Sequence, residues 1–166
     1  FKGEGQFVAK FRYLGENRPA KIPSKKDQLS VEQKKWWQQF AKKHLKITLE
    51  GVLETFGDEL YLVPLGLPDL RKVKIARNGL HLGTFKKNRF EPSFALGLAL
   101  RPCEVKETVA ITPEDFVHYV AGETVQLKET HPNGWYQVLV DGNGLGFAKV
   151  TGQTLKNFYP KGLRFR

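Results

Sequence analysis

The 166-residue chain has no methionine, one cysteine and four histidines. A single cysteine excludes a disulfide framework and fits a reducing, cytoplasmic setting. Cys103 lies in Pro102-Cys103-Glu104-Val105, with no glycine-rich turn to present its thiol, and it reads as a structural residue. His44, His81, His118 and His131 lack metal-ligand spacing and have one cysteine to join them, so no metal site is expected. No serine sits on a glycine-flanked elbow, which removes the usual nucleophile arrangement. A membrane-spanning helix needs roughly 20 consecutive apolar residues, and no stretch approaches that, so no membrane partner is expected. The residues give no catalytic constellation, and no catalytic residue is assigned.

Positive charge is plentiful. There are 27 Lys and Arg against 17 Asp and Glu, a net charge of +10. Residues 33–103 hold thirteen basic and six acidic groups. Residues 104–148 hold two basic and seven acidic groups, and residues 149–166 hold five basic and no acidic ones. Such polarity favours an acidic partner on one face, with nucleic acid the first candidate.

The elements follow from periodicity and turn chemistry. Gln6 to Tyr13 reads as a strand, entered through Gly3-Glu4-Gly5, and residues 15–29 have linker composition. The chain opens on Phe1 within this strand-like pattern and is expected to continue a longer polypeptide. Ser30 and Gln33 form a capping-box pattern for a helix with Val31, Trp36, Trp37, Phe40, Ala41 and Leu45 on one side. Lys34, Lys35, Lys42 and Lys43 take the other side, as a solvated face or a phosphate-facing stripe. Strands are predicted at Val52–Thr55 and Leu60–Val63 around the Phe56-Gly57-Asp58-Glu59 turn, and at Val73–Ala76 and Leu80–Phe85 around Asn78-Gly79. Pro92 to Leu100 has helical spacing, with Pro92 near the first turn. Glu104–Ile111 reads as a strand, and Thr112-Pro113-Glu114-Asp115 starts a helix ended by Gly122. Thr124–Leu127 is a strand, and His131-Pro132-Asn133-Gly134 a turn into a hairpin. The hairpin runs from Trp135 to Val150 around Asp141-Gly142-Asn143-Gly144. Gly142, Gly144 and Gly146 mimic a phosphate-binding loop, but no helix start follows them and a hairpin turn is the better reading.

Binding chemistry concentrates in two places. Lys86, Lys87 and Arg89 cluster beside Phe90, where Arg can pair bidentately with phosphate and stack on a base. In the tail, Lys149, Lys156, Lys161 and Arg164 supply charge, Trp135 and Tyr159 either supply flat surfaces or pack in the core, and Asn157 reads a base edge or caps a turn. Phe158 and Leu163 read as core.

Three phrases then carry a family resemblance. Gly134-Trp135-Tyr136-Gln137-Val138-Leu139-Val140, followed by Leu145-Gly146 and Leu155-Lys156-Asn157-Phe158-Tyr159-Pro160-Lys161-Gly162-Leu163-Arg164, resembles the C-terminal PUA-like domain of RsmF-type rRNA methyltransferases of the Sun family. Leu82-Gly83 and Lys86-Lys87-Asn88-Arg89-Phe90-Glu91-Pro92-Ser93 resemble the domain that precedes it. Gly3-Glu4-Gly5-Gln6-Phe7-Val8-Ala9 is similar to the last strand of their methyltransferase domain. The chain departs from the family at Phe94, where a His is expected, and at Leu145-Gly146-Phe147-Ala148-Lys149, in place of a Gly-Trp-Gly-Lys type sequence.

The resemblance implies an α+β chain. Residues 1–14 would end a methyltransferase domain, 15–29 form a linker, 30–103 a small α+β domain and 104–166 a PUA-like β-barrel. It implies binding of small-subunit rRNA, contact with the parent's own methyltransferase domain, and no cofactor in these residues. S-adenosylmethionine and both catalytic cysteines would belong to the absent domain. An interdomain scaffold, or a stand-alone RNA-binding adaptor, remains the alternative.

Overall fold

The computed structural model describes residues 27–67, 74–75 and 79–165. The strand expected at Gln6–Tyr13, most of the 15–29 linker, Val73, Ala76, Asn78 and Arg166 lie outside them. The described residues form three α-helices and two sheets, of four and three strands. The α+β class holds. Both sheets are open among the described residues, and no closed barrel forms, because the second sheet has three strands and its outer strands do not pair with each other.

The first unit begins with α1 (Val31–His44), whose capping box joins Ser30 and Gln33 as predicted. Trp37, Phe40, Leu45 and also His44 are buried, but Val31 stands 87% exposed, so the apolar stripe starts a turn later than its spacing suggests. Strands β1 (Val52–Phe56), β2 (Glu59–Val63), β3 (Leu80–Lys86) and β4 (Arg89–Pro92) form an antiparallel meander in sequence order. Gly57, at φ 60°, makes the β1–β2 turn that its sequence predicts. Pro92 ends β4 opposite Gly83 instead of opening the helix. Ser93 caps α2 (Phe94–Ala99), accepting from the Leu96 N–H at 2.9 Å. Leu60, Leu82 and Leu96 are fully buried at the centre of this core, each contributing about 1.5–3 kcal/mol of apolar burial.

In the second unit the strand expected across Glu104–Ile111 is shorter. Pro102–Glu104 forms a single 3-10 turn, and β5 is Thr108–Ala110, because Pro102 cannot donate to a ladder. Thr112 caps α3 (Pro113–Ala121), and Gly122 ends it in the left-handed region at φ 97°. β6 (Val125–Val140) and β7 (Asn143–Lys156) form one long hairpin. His131 to Gly134 does not turn the chain. It stays paired with β7 through register shifts, with the Asn133 Oδ1 accepting from Gly152 N–H at 3.1 Å. Pro132 is tolerated at such an irregularity because its missing N–H breaks no regular rung.

Alternation along this hairpin joins the two units. Tyr136, Val138 and Val140 point into the second core, while Trp135 and Phe147 pack on the first. Gln137, also on that side, is fully buried and donates from Nε2 to the carbonyls of Gly97 and Leu100, at 2.8 Å each. A backbone clasp adds to the join: Lys46 N–H donates to Glu104 at 2.8 Å and Lys106 N–H to His44 at 2.9 Å.

Candidate nucleic-acid interface

The tight β3–β4 turn places Lys86, Lys87 and Arg89 at the surface, with Asn88 in the left-handed region at φ 59°. Lys86 lies directly opposite Arg89 in the ladder, so both side chains share a face. The Arg89 guanidinium meets Glu91 at 2.9 Å and is still 62% exposed, which leaves N–H donors turned outward. Across the hairpin, Lys149 lies opposite Trp135, so its ammonium stem runs beside that indole. Trp135 is half-buried and packs edge-on against Phe158 at 4.7 Å.

These elements meet α1 at a groove of about 200 Å³, whose walls include Trp36, Gln39, Lys43, Asn88, Arg89 and Trp135, with Phe40 and Phe90 beneath. The sequence places Trp36 on the apolar side of the helix and Lys43 among the lysines read as a solvated face or a phosphate-facing stripe. Successive helical residues are about 100° apart, so Trp36 and Trp37 cannot both face the core. Trp37 is buried and Trp36 emerges half-covered. The α1 lysines do not form one stripe. Lys34 and Lys42 rim a larger groove on the other side of the helix, of about 720 Å³ over Trp37, Leu49 and Leu53.

His44 lies below the smaller groove, with Nδ1 3.3 Å from Glu107. Burial holds its pKa below the ordinary imidazole value, outweighing the attraction of Glu107. It is a neutral polar anchor between α1 and the segment leading into β5.

The tail divides differently. Lys156 and Lys161 are exposed. Asn157 donates from Nδ2 to the carbonyls of Tyr119 and Glu123, the latter at 2.9 Å, and accepts from Tyr159 N–H at 2.8 Å. Its amide is spent capping the end of α3. Tyr159 stands edge-on between Phe94 and Tyr119, at 5.2 and 5.9 Å. The Arg164 guanidinium crosses Gly122 so closely that a Cβ there would meet it at 2.5 Å. Leu163, expected in the core, is 51% exposed on the final 3-10 turn. Phe158 is half-buried against Trp135. The structure thus brings Arg89 and Trp135 to one groove, with Lys86 opposite Arg89 and Lys149 opposite Trp135 in their ladders, and commits Asn157, Tyr159 and Arg164 to packing.

The glycine-rich stretch is a hairpin turn running into β7, as its sequence suggests. Asp141 and Gly142 form the hairpin turn at φ 47° and 78°. A Cβ on Gly144 would meet the Gln137 amide at 2.6 Å, and one on Gly146 the Phe94 ring at 2.8 Å. Gly144 and Gly146 are therefore required by the close approach of Gln137 and Phe94.

Residues 39–100 match the sequence model of the RsmF rRNA methyltransferase first C-terminal domain. Residues 106–165 match that of the methyltransferase RsmF PUA domain. The chain belongs with the C-terminal region of RsmF-type rRNA methyltransferases. A curated relative, the ribosomal RNA small subunit methyltransferase F of Shewanella loihica, is 28% identical over 121 residues. The match covers 72% of this chain and 24% of that protein, so this RsmF-type chain spans about a quarter of its relative's length. Within the RsmF-type frame both departures have structural occupations here. Phe94 packs on Tyr159 beneath Gly146, and Phe147 enters the first core 5.9 Å from Phe40.

Proposed function

We propose that this chain binds small-subunit rRNA and holds it in register for a methyltransferase domain elsewhere in the same polypeptide. The observation that carries this reading is the convergence of Lys43, Arg89 and Trp135 on one groove of an RsmF-type chain. Lysines and arginine hold phosphates and fix orientation, while aromatic faces accept bases. S-adenosylmethionine, the methyl donor of this reading, would be held by the catalytic domain. The setting is the cytoplasm.

The test is binding to a small-subunit rRNA fragment, titrated over several salt concentrations against a tRNA competitor. The expected result is preference for rRNA with a steep loss of affinity as salt rises. Replacing Lys86, Lys87 and Arg89 together by Ala lowers the slope of log K against log salt by about 0.7–0.9 for each phosphate contact removed. Binding no stronger than to tRNA, with a slope that these changes leave alone, would make the chain an interdomain scaffold instead.

A further inference from the structure

Among the described residues, three grooves bear comparison, and the smallest of these differs from the other two in kind. The large groove under Lys34 and Lys42 has its tryptophan, Trp37, sealed at 7% exposure. A third, of about 460 Å³ between β5 and β6, carries Asp115 and Glu129 and no aromatic ring larger than His131. The smallest presents two half-buried indoles, from separate units, beneath a cationic rim.

We infer that this groove takes one unpaired RNA nucleotide, its base on Trp36 or Trp135 and its flanking phosphates on Lys43, Arg89 and Lys149. The inference rests on the RNA-binding reading above and adds the form of RNA and the place that receives it. Three observations converge on it. The volume of about 200 Å³ is below the roughly 300–1,000 Å³ of sites that enclose a whole small ligand, so it suits one inserted ring with the backbone left outside. Both indoles are fixed in advance: Trp36 lies 6.2 Å from Phe85, tilted at 47°, and Trp135 is braced edge-on by Phe158. A braced ring loses little freedom when a base stacks on it. The cations are exposed where phosphates would pass: Lys43 on α1 and Arg89 on the turn line the groove, and Lys149 stands across the ladder from Trp135. A base within a duplex is stacked and paired and cannot enter, so the groove selects single-stranded segments.

Tryptophan fluorescence reads this directly, because Trp37 is sealed in the core while Trp36 and Trp135 line the groove. The whole chain is titrated with single-stranded oligouridylate and with the same strand annealed to oligoadenylate. The single strand is expected to quench the emission and the duplex to leave it unchanged. Trp36→Leu, which keeps an apolar contact for Phe85, should weaken the single-strand complex by about five- to 150-fold, the worth of one stacked base. Lys43→Glu, on an exposed side chain, should weaken it too, and serves if Trp36→Leu does not fold. If rRNA binds with a steep salt slope but quenching is absent and both variants bind normally, the nucleotide groove is overturned while the phosphate-binding reading stands. If the chain binds no RNA at all, both fall together.

Discussion

Gln137 is the residue on which the union of the two units can be tested by one substitution. Its side-chain amide donates to Gly97 and Leu100, carbonyls at the C-terminal end of α2 that have no helical partner of their own. Replacing it by Leu keeps the volume and removes both donors. Two buried carbonyls left unpaired cost about 1–3 kcal/mol each, and removal of the unpartnered Gln137 Oε1 returns a similar amount for one group. The net loss is about 1–3 kcal/mol. For a chain of this size, that lowers the thermal midpoint by roughly 2–12 °C. Urea unfolding of wild type and Gln137→Leu gives the difference directly. A loss below about 0.5 kcal/mol, less than one ordinary hydrogen bond, would refute the capping role. Gln137→Glu sharpens the test, because shape is kept while two oxygens face the carbonyls. Burial raises that carboxyl's folded pKa above its unfolded value, so the penalty is largest at neutral pH and shrinks as acid protonates the group. A Glu variant equal to wild type at neutral pH would show that packing alone holds the joint.

Two further predictions concern the same joint. A Cβ on Gly97 would meet the Gly146 Cα at 2.5 Å and the Phe147 N at 2.8 Å; Gly97→Ala should cost about 1–3 kcal/mol through backbone displacement, and unfolding at wild-type urea concentration would refute the close approach. Burial lowers the pKa of His44 from 6.5, so the unfolded chain takes up a proton that the folded chain refuses. Stability present above about pH 6.5 should therefore fall as the pH drops below it. Thermal unfolding at neutral and mildly acidic pH checks this, and a His44→Gln variant with an equally steep acid loss would place the cause elsewhere.

Local signals in the sequence were sufficient wherever the deciding interaction is local. Ser30 with Gln33, Thr112 with Asp115, and Gly122 fix helix ends through bonds spanning three or four residues, and each lies where the sequence puts it. Pro92 misleads because a proline before a helical pattern suits both a first turn and a final strand residue; pairing with Gly83, decided across the sheet, selects the strand. His131 to Gly134 carries turn residues, yet the continued ladder with β7 holds it extended. The groove was legible only in pieces. Arg89 and Trp135 stand out as a cation and an aromatic, but their nearness to Trp36 and Lys43 depends on how α1 meets the hairpin. Asn157, Tyr159 and Arg164 show the converse, being residue types suited to RNA that the fold itself occupies: the Asn157 amide caps α3, the Tyr159 ring packs on Tyr119 and the Arg164 guanidinium lies against Gly122.

The hairpin's two-sidedness also governs the order in which this chain can form during synthesis. Trp37, Phe40, Phe85 and Phe90 gather around a space that Phe147 completes. Phe40 and Phe147 are separated by roughly a hundred residues, a long loop to close before that contact rewards the chain. On the ribosome, α1 and the four-stranded sheet emerge first with an aromatic face still uncovered, the kind of surface that chaperones attend. The first unit must wait for the second to finish it.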